Sequence, residues 1–137
     1  MRALRRGLDN RSERSVRLWD NVRAVDGFGA ATNVMVFDSI VGEPETAAFI
    51  AWCRSDGRQI AVPEDDVDPA WPDAIIVPGV AFTSDGRRVG QGGGWYDRFL
   101  PQRRPECITI GVCFAPQILA DVPIEPHDVV LDHIVTD

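Results

Sequence analysis

Short apolar segments that alternate with helical patterns constrain the fold of this chain most strongly. Apolar runs as short as typical buried strands occur at residues 33–37, 59–62, 74–77, 107–112 and 133–135. Apolar residues recur at helical spacing over 8–25, and 45–54 also has a helical pattern. Alternating strands and helices predict a parallel sheet. We therefore expect a three-layer α/β fold, with a mostly parallel, Rossmann-like sheet and helices on both faces, in one domain over residues 1–137.

Composition and charge narrow the classes of function. A net charge of −7 and a pI near 4.7 argue against a general nucleic-acid binder. All 14 basic residues are arginine, so the chain has no lysine for amine catalysis. The N-terminus lacks the apolar core of a signal peptide, and no apolar run approaches the roughly 20 residues that span a membrane. We expect a cytoplasmic protein with no membrane partner. The sequence carries no signature of an oligomeric state.

The three cysteines predict no metal site or disulfide. Cys53, Cys107 and Cys113 are odd in number, stand in apolar surroundings and lack the C-x-x-C spacing of many metal sites. We expect reduced, mostly buried thiols without a catalytic or zinc-binding role.

A glycine-rich segment is the strongest functional signal. Four glycines occupy five positions, interrupted by Gln91, and a helix is predicted at 95–100. So many glycines are unfavourable in a strand or a helix interior, but they suit a loop whose peptide N–H groups surround an anion. A flexible turn is the alternative. Arg88 and Arg98 flank the loop and favour a phosphate site, and Asp97 could hold a magnesium ion that bridges to the phosphate.

Three blocks of sequence together resemble one family. The first covers residues 73–82 and contains Pro78-Gly79, the second is the glycine loop with Tyr96-Asp97-Arg98, and the third covers 124–132. Their order and spacing are similar to those of the 5-formyltetrahydrofolate cyclo-ligases, also called methenyltetrahydrofolate synthetases. Any one block is a weak signal, but the set is specific.

The resemblance implies an ATP-dependent ligase. Its reaction would cyclise 5-formyltetrahydrofolate to 5,10-methenyltetrahydrofolate and release ADP and phosphate, with ATP and Mg²⁺ as cofactors and a reduced folate as substrate. Phosphoryl transfer to the formyl oxygen would give an iminophosphate, after which N10 attacks the carbon and phosphate leaves. The protein would supply positioning and charge neutralisation rather than covalent chemistry.

The resemblance also implies roles for individual residues. It gives charge neutralisation in catalysis to Arg88 and Arg98, and magnesium binding to Asp97 and Asp132. It gives nucleotide binding to Arg5, Arg88, Gly90, Gln91, Gly92, Gly93, Gly94, Trp95 and Tyr96. It gives folate binding to Glu43, Gly92, Gly93, Trp95 and Tyr96.

Several of these residues have a structural alternative. Glu43 with Thr46 is similar to the family's Glu-x-x-Thr segment, and a carboxylate can accept the paired N–H donors of a pterin ring. Glu43 could instead interact favourably with the dipole at the start of a helix, while Thr46 caps that helix. Asp132 could be a solvated turn carboxylate. His127 could act as a general base or order its proline-containing turn, and we favour the structural role in the turn.

Some positions depart from the family's pattern and keep other functions open. Met1 stands where the family has a lysine ahead of its Leu-Arg pair, here Leu4 and Arg5, and Trp95 replaces a usual tyrosine. The segment between 63 and 73 is shorter than in the family. A non-catalytic relative that binds a folate or nucleotide is therefore one alternative. A divergent enzyme on the same scaffold, acting on another anionic metabolite, is the other.

Overall fold

The predicted strands form one parallel sheet. The computed structural model describes residues 10–40, 42–90, 93–123 and 128–137. Its strands are β1 (Asn33–Val36), β2 (Gln59–Ala61), β3 (Ala74–Val77), β4 (Ala81–Phe82), β5 (Arg88–Val89), β6 (Ile108–Val112) and β7 (His133–Val135). Five of them pair in the order β2-β1-β3-β6-β7, and every pair is parallel. The predicted parallel α/β sheet is confirmed.

The helices begin and end close to their predicted bounds. They are α1 (Arg11–Arg23), α2 (Ala47–Ser55) and α3 (Trp95–Phe99), with short 3-10 helices at Phe28–Ala30, Pro63–Asp65, Leu100–Gln102 and Ala115–Gln117. Positions 8 and 9, the start of the predicted first helix, lie outside the described residues. The second helix begins at 47 rather than 45, and the Thr46 side chain does not cap it. Instead Thr46 Oγ1 accepts a hydrogen bond from the Ser39 amide at 3.1 Å.

Each face of the sheet has its own apolar core. On one face α1 and α2 pack through Leu18, Val22 and Phe49 against inward residues of the central strands. On the other face α3 and the 3-10 helix after it contribute Phe99 and Leu100. Central strands buried on both sides explain why their sequences read as continuous apolar runs. The three-layer arrangement with helices on both faces is therefore confirmed.

A two-stranded hairpin completes the second face. β4 and β5 pair antiparallel, and Phe82 of β4 is fully buried. The two-residue strands of this hairpin were not predicted from the sequence. Gly86 has a φ of +100° and its carbonyl accepts a hydrogen bond from the Leu131 amide at 2.9 Å. A side chain at Gly86 would be strained and would collide with the Leu131 backbone, so glycine is needed there.

The three cysteines are buried, free thiols, as the sequence predicted. Burial raises the pKa of Cys53 and of Cys107 to about 11, and that of Cys113 to about 12. Thiols with such pKa values are protonated and unreactive near neutral pH. Among the described helices, none is both long and apolar enough to cross a membrane.

Candidate functional site

A cleft with two adjoining cavities lies at the carboxyl ends of the sheet strands. The loop cavity has a volume of about 350 Å³ and is lined by Pro78, Arg88, Gly90, Gly93, Gly94, Trp95, Tyr96 and Asp97. The acidic cavity has a volume of about 390 Å³ and is lined by Phe37, Asp38, Glu43, Pro63, Glu64, Pro78, Trp95 and Tyr96. Pro78, Trp95 and Tyr96 form the wall that both cavities share. Ligands of open parallel sheets bind at this edge, so the cleft is the candidate site.

Arg88 supplies the fixed positive charge of the loop cavity. Its side chain is 11% exposed, and its Nε donates a hydrogen bond to the Pro78 carbonyl at 2.7 Å. Nη1 lies 3.6 Å from an oxygen of Asp97, and the guanidinium carbon lies 5.1 Å from the centre of the Tyr96 ring. Burial lowers the pKa of Arg88, while Asp97 opposes that shift, and an arginine remains charged in either case. These contacts hold a cation in one orientation at the strand ends.

Trp95 and Tyr96 form an aromatic wall, and Phe99 in the next turn of α3 supports it from below. Trp95 stacks on Phe99, one helical turn later, with ring centres 4.7 Å apart, and it meets Tyr96 edge-on at 4.8 Å. Burial raises the pKa of the Tyr96 hydroxyl, Arg88 opposes this, and the carboxylates of Glu43 and Glu64 raise it further. Tyr96 therefore stays neutral, able to donate a hydrogen bond or to stack against a flat ligand.

The described part of the glycine loop borders the loop cavity with backbone rather than side chains. Gly94 has a φ of +70° and precedes α3, and its carbonyl accepts a hydrogen bond from the Arg98 amide at 3.1 Å. Nothing lies within 4 Å of a Cβ built at Gly93, so the missing side chain leaves space open. Arg98 is exposed, and its Nη1 donates to the Gly93 carbonyl at 3.1 Å. Because α3 has only five residues, its dipole adds little.

Glu43 is a buried carboxylate at the wall of the acidic cavity. It is 4% exposed, and its Oε1 accepts a hydrogen bond from the Ile40 amide at 2.9 Å. Arg11 of α1 holds the same turn, because its Nε donates to the Glu43 carbonyl at 2.6 Å and its Nη2 to the Ile40 carbonyl at 3.0 Å. Glu43 precedes the first residue of α2, Ala47, by four positions and so lies outside the first helical turn, where a carboxylate stabilises the helix dipole.

The two aspartates that were expected to share a magnesium ion lie in different places. Asp97 lines the loop cavity, and its side chain is 45% exposed. Asp132 Oδ2 accepts hydrogen bonds from the Thr109 amide at 2.9 Å and hydroxyl at 3.1 Å, near the start of β6. Thr109 pairs with Ile75 of β3. Pro78, which lines the loop cavity, comes three residues after Ile75, so Thr109 and the cavity are separated by roughly 10 Å along the strand direction. The structure therefore does not bring the two carboxylates together.

The residues present fit a magnesium ion through Asp97. Mg²⁺ keeps several waters and often takes one or two carboxylates together with substrate phosphates. Asp97 is accessible and borders the loop cavity, which Gly90, Gly93 and Gly94 also line. Over the part of the chain that the structure describes, no cluster of three or more histidine, cysteine or acidic residues could hold a metal by itself. A magnesium ion here would take waters and phosphate oxygens as its remaining ligands.

Four residues selected from the sequence lie outside the described residues. They are Arg5, Gln91, Gly92 and His127. Their predicted roles stay predictions.

The structure adds acidic residues that the sequence did not single out for the site. Asp38 and Glu64 line the acidic cavity, and Asp128 is close enough to Arg88 to raise its pKa. A signal for two of them was present, because Asp38 follows β1 closely and Glu64 follows β2 closely. The carboxyl ends of neighbouring parallel strands meet at one edge, and that rule would have selected both.

The structure is an α/β fold with a cleft at the carboxyl ends of its strands. One half of the cleft is lined by Arg88 and glycines, and the adjoining half by carboxylates. The model of the 5-formyltetrahydrofolate cyclo-ligase family matches residues 64–137. This match covers more than half of the chain, so the chain belongs to that family.

Individual relatives agree with this assignment. The chain is 39% identical over 74 residues to the mitochondrial 5-formyltetrahydrofolate cyclo-ligase of Arabidopsis thaliana. The match covers 47% of this chain and 27% of that protein. It is 39% identical over 64 residues to the 5-formyltetrahydrofolate cyclo-ligase of Mycolicibacterium smegmatis. This match covers 47% of this chain and 33% of that protein. The chain therefore matches a third or less of the length of these two relatives.

A solved structure extends the likeness of the fold to nearly the whole chain. The 5,10-methenyltetrahydrofolate synthetase of Mycoplasma pneumoniae superposes with a TM-score of 0.85 over 98% of this chain and 93% of that one, at 23% identity. At this level of identity the likeness concerns the fold.

Proposed function

We propose that this protein catalyses the ATP-dependent cyclisation of 5-formyltetrahydrofolate to 5,10-methenyltetrahydrofolate. The observation that carries the proposal is the shared wall of the two cavities. One cavity offers Arg88 and the backbone of Gly93 and Gly94 to an anion, and the other offers the carboxylate of Glu43. A reaction that joins a nucleotide phosphate to a pterin-bearing substrate needs such halves in contact.

In this proposal the loop cavity binds the phosphates of ATP. Arg88 is pre-oriented by the Pro78 carbonyl, so it neutralises charge on the transferring phosphoryl group without first being ordered. Gly90, Gly93 and Gly94 allow the phosphates to approach the backbone, and Arg98 adds a second cation near the loop. Asp97 holds Mg²⁺ together with phosphate oxygens, and the ion supplies further charge neutralisation when it is bound. Arg5, Gln91 and Gly92 would extend the nucleotide site, as the family resemblance implies.

The acidic cavity binds the pterin ring. The Glu43 carboxylate accepts N–H groups from the ring edge, and Trp95 and Tyr96 pack against its flat face. Because these aromatic residues also border the loop cavity, the formyl group of a ring bound here faces the phosphate half. The wall thus aligns the two reactants, and such positioning, together with charge stabilisation, is what a protein contributes to phosphoryl transfer.

A spectrophotometric assay tests the proposal. Purified protein, 5-formyltetrahydrofolate and Mg-ATP should give a rise in the near-ultraviolet absorbance of the methenyl product that requires both ATP and magnesium. ATP binding with no absorbance change would support a non-catalytic relative instead. Binding of another anionic metabolite, with no binding of folate, would support a divergent enzyme.

A variant of Glu43 tests the pterin half separately. Glu43→Gln should weaken folate binding about ten- to a hundredfold while leaving ATP affinity unchanged, because only the pterin loses a charged acceptor. Glu45→Gln is the matched control, since Glu45 is two residues away, 43% exposed and engaged with Arg11 at 3.6 Å. Equal loss of ATP and folate binding in the Glu43 variant would mean that the turn misfolds, and equal effects of the two variants would remove Glu43 from the site.

A further inference from the structure

Gln117 is a buried polar side chain that joins two loops at the carboxyl edge of the sheet. It ends the 3-10 helix Ala115–Gln117, which follows β6, and it is fully buried. Its Oε1 accepts a hydrogen bond from the Phe114 amide at 2.9 Å, while its Nε2 donates to the Val80 carbonyl at 3.0 Å and to the Gly79 carbonyl at 3.4 Å. A primary amide has two N–H donors, so one side chain can serve both carbonyls of the chain that leaves β3.

The segment that Gln117 holds also orients Arg88. We call residues 78–80 the Pro78 turn. Three successive carbonyls of this turn accept hydrogen bonds from side chains, the first from Nε of Arg88 at 2.7 Å and the next two from Gln117. The cation of the loop cavity and the buried amide are therefore attached to neighbouring peptide groups of one short segment.

Close packing restrains the Pro78 turn. A Cβ built at Gly79 would lie 2.7 Å from the buried Phe82 ring, so glycine is needed for the backbone to approach that ring. The Val80 amide donates to the β5 backbone at 2.8 Å, which joins the turn to the hairpin. Gln117 adds the contacts from the β6 side. A turn held in this way can orient a guanidinium only while its own contacts are kept.

We propose that Gln117 is a positioning residue for the cyclisation. In the described part of the chain it lines neither cavity, so it acts through the Pro78 turn and Arg88 rather than on a ligand. Without its donors, the Gly79 and Val80 carbonyls lose buried partners and the turn relaxes. A displacement of about 1 Å in an active site can lower a rate about a hundredfold. The inference rests on the proposed function and adds a residue that maintains its geometry.

A double-mutant cycle tests the link between Gln117 and Arg88. Gln117→Met keeps the length of the side chain but removes its hydrogen bonds to the turn. It should lower kcat about tenfold and raise the Kd for Mg-ATP about three- to tenfold. The KM for 5-formyltetrahydrofolate should change less than about twofold, because Ile40 holds the Glu43 carboxylate. In an Arg88→Met background the same substitution should change kcat and Kd by less than about twofold, since the cation to be positioned is gone.

Thr109→Val is the matched control. Thr109 is also fully buried, but its hydroxyl bonds Asp132 at the amino edge of the sheet. Urea unfolding should show that both variants lose stability. Only Gln117→Met should change the kinetics, whereas Thr109→Val should leave kcat and Kd within about twofold of the native values.

The Nε–H group of Arg88 gives a readout that does not depend on turnover. Its ¹⁵N resonance, identified by its loss in Arg88→Met, should exchange slowly with solvent, because the Pro78 carbonyl accepts this hydrogen and the arginine side chain is 11% exposed. Gln117→Met should speed that exchange about fivefold or more, whereas Thr109→Val should not.

Equal proportional losses in the native and Arg88→Met backgrounds, or unchanged exchange of the Arg88 Nε–H, would overturn the inference. If Gln117→Met does not fold, Gln117→Glu takes its place. Glutamate keeps the acceptor for Phe114 but has at most one proton to donate, so it must show a coupling of the same sign. Native protein that binds Mg-ATP without converting the folate would overturn the proposed function alone, since the coupling in Kd and the exchange rate still decide the role of Gln117. Protein that neither binds Mg-ATP nor converts the folate would overturn both.

Discussion

The two edges of the sheet use aspartate in opposite ways. At the amino edge, Asp73 and Asp132 precede β3 and β7, and each accepts hydrogen bonds from the start of a neighbouring strand. At the carboxyl edge, Asp97 lines a cavity, is 45% exposed and contacts Arg88 at 3.6 Å. A carboxylate whose oxygens are bound by backbone amides stabilises the fold, whereas one that faces a cavity is available to a ligand. Residue type alone does not separate these uses.

The electrostatics of Asp73 show how strongly the amino edge is fixed. Its Oδ2 accepts from the Asn33 amide at 2.9 Å and from the Thr32 hydroxyl at 2.9 Å, and its Oδ1 lies 2.5 Å from Nη2 of Arg104. The backbone hydrogen bond from Asn33 is the main cause that lowers the pKa of Asp73 to about 2. At the carboxyl edge, Asp97 is 45% exposed and contacts Arg88 only loosely, at 3.6 Å, so a variant at each edge should change a different property.

The largest expected effect is the loss of catalysis in Arg88→Met. Removing the pre-oriented cation should lower kcat/KM by about 10²–10³-fold, the range found when one preorganised electrostatic group is deleted from an active site. Arg87→Met is the matched control on the same hairpin, because Arg87 points to Asp85 and Asp121 instead of the cavity. Steady-state kinetics of both variants would check this. Similar activities for the two would contradict a catalytic role for Arg88.

Asp73→Asn should give the largest loss of stability among the aspartates discussed here. Losing the charge that Asn33, Thr32 and Arg104 stabilise should lower the free energy of unfolding by about 2 kcal/mol. Asp97→Asn should change it by less than about 0.5 kcal/mol, because Asp97 is partly exposed and its ion pair is loose. Urea unfolding measures both. A comparable loss in the two variants would mean that the edges do not differ in the way proposed.

Magnesium titrations sharpen the comparison between Asp97 and Asp132. Asp97→Asn should raise the magnesium concentration for half-maximal activity about tenfold, which corresponds to about 1.4 kcal/mol. Asp132→Asn should leave that concentration unchanged and lower the free energy of unfolding by about 1 kcal/mol, through its bonds to Thr109. If Asp132→Asn shifts the magnesium requirement as much as Asp97→Asn, the two carboxylates meet in the working enzyme, as the family resemblance implied.

The central strands β1, β3 and β6 were predictable because their residues are buried on both faces and must therefore be apolar. The glycine loop was predictable for a similarly local reason, since few other structures tolerate so many glycines. Those signals lie within a few residues of sequence. From these signals the bounds of β3 and β7 were predicted correctly, and Arg88 was selected as a site residue beside the loop.

What escaped prediction depends on contacts between distant residues. The position of Asp132 follows from its bond to Thr109, 23 residues earlier, and from the register of β6 with β3. Glu64 reaches the acidic cavity because the β2–β3 connection is short and turns immediately after the strand. Thr46 was a candidate helix cap, yet it pairs with Ser39 across the preceding turn. Each of these outcomes is set by packing and register, which a local pattern does not record.

The smallest expected effect is a difference in acid stability between the native protein and Asp73→Asn. The pKa of Asp73 falls from 3.8 to about 2 on folding, so its contribution is fully present above pH 3.8 and is lost as the pH falls towards 2. Between pH 5 and pH 3 the native protein should lose about 1 kcal/mol of unfolding free energy through this one group. The Asn variant lacks the titrating carboxyl, so its decline over that range should be shallower by the same amount. Urea unfolding at each pH, with Asp97→Asn as the control, would measure the difference. Parallel curves for all three proteins would show that the amino edge does not depend on the charge of Asp73, and the contrast between the edges would then rest on ligand binding alone.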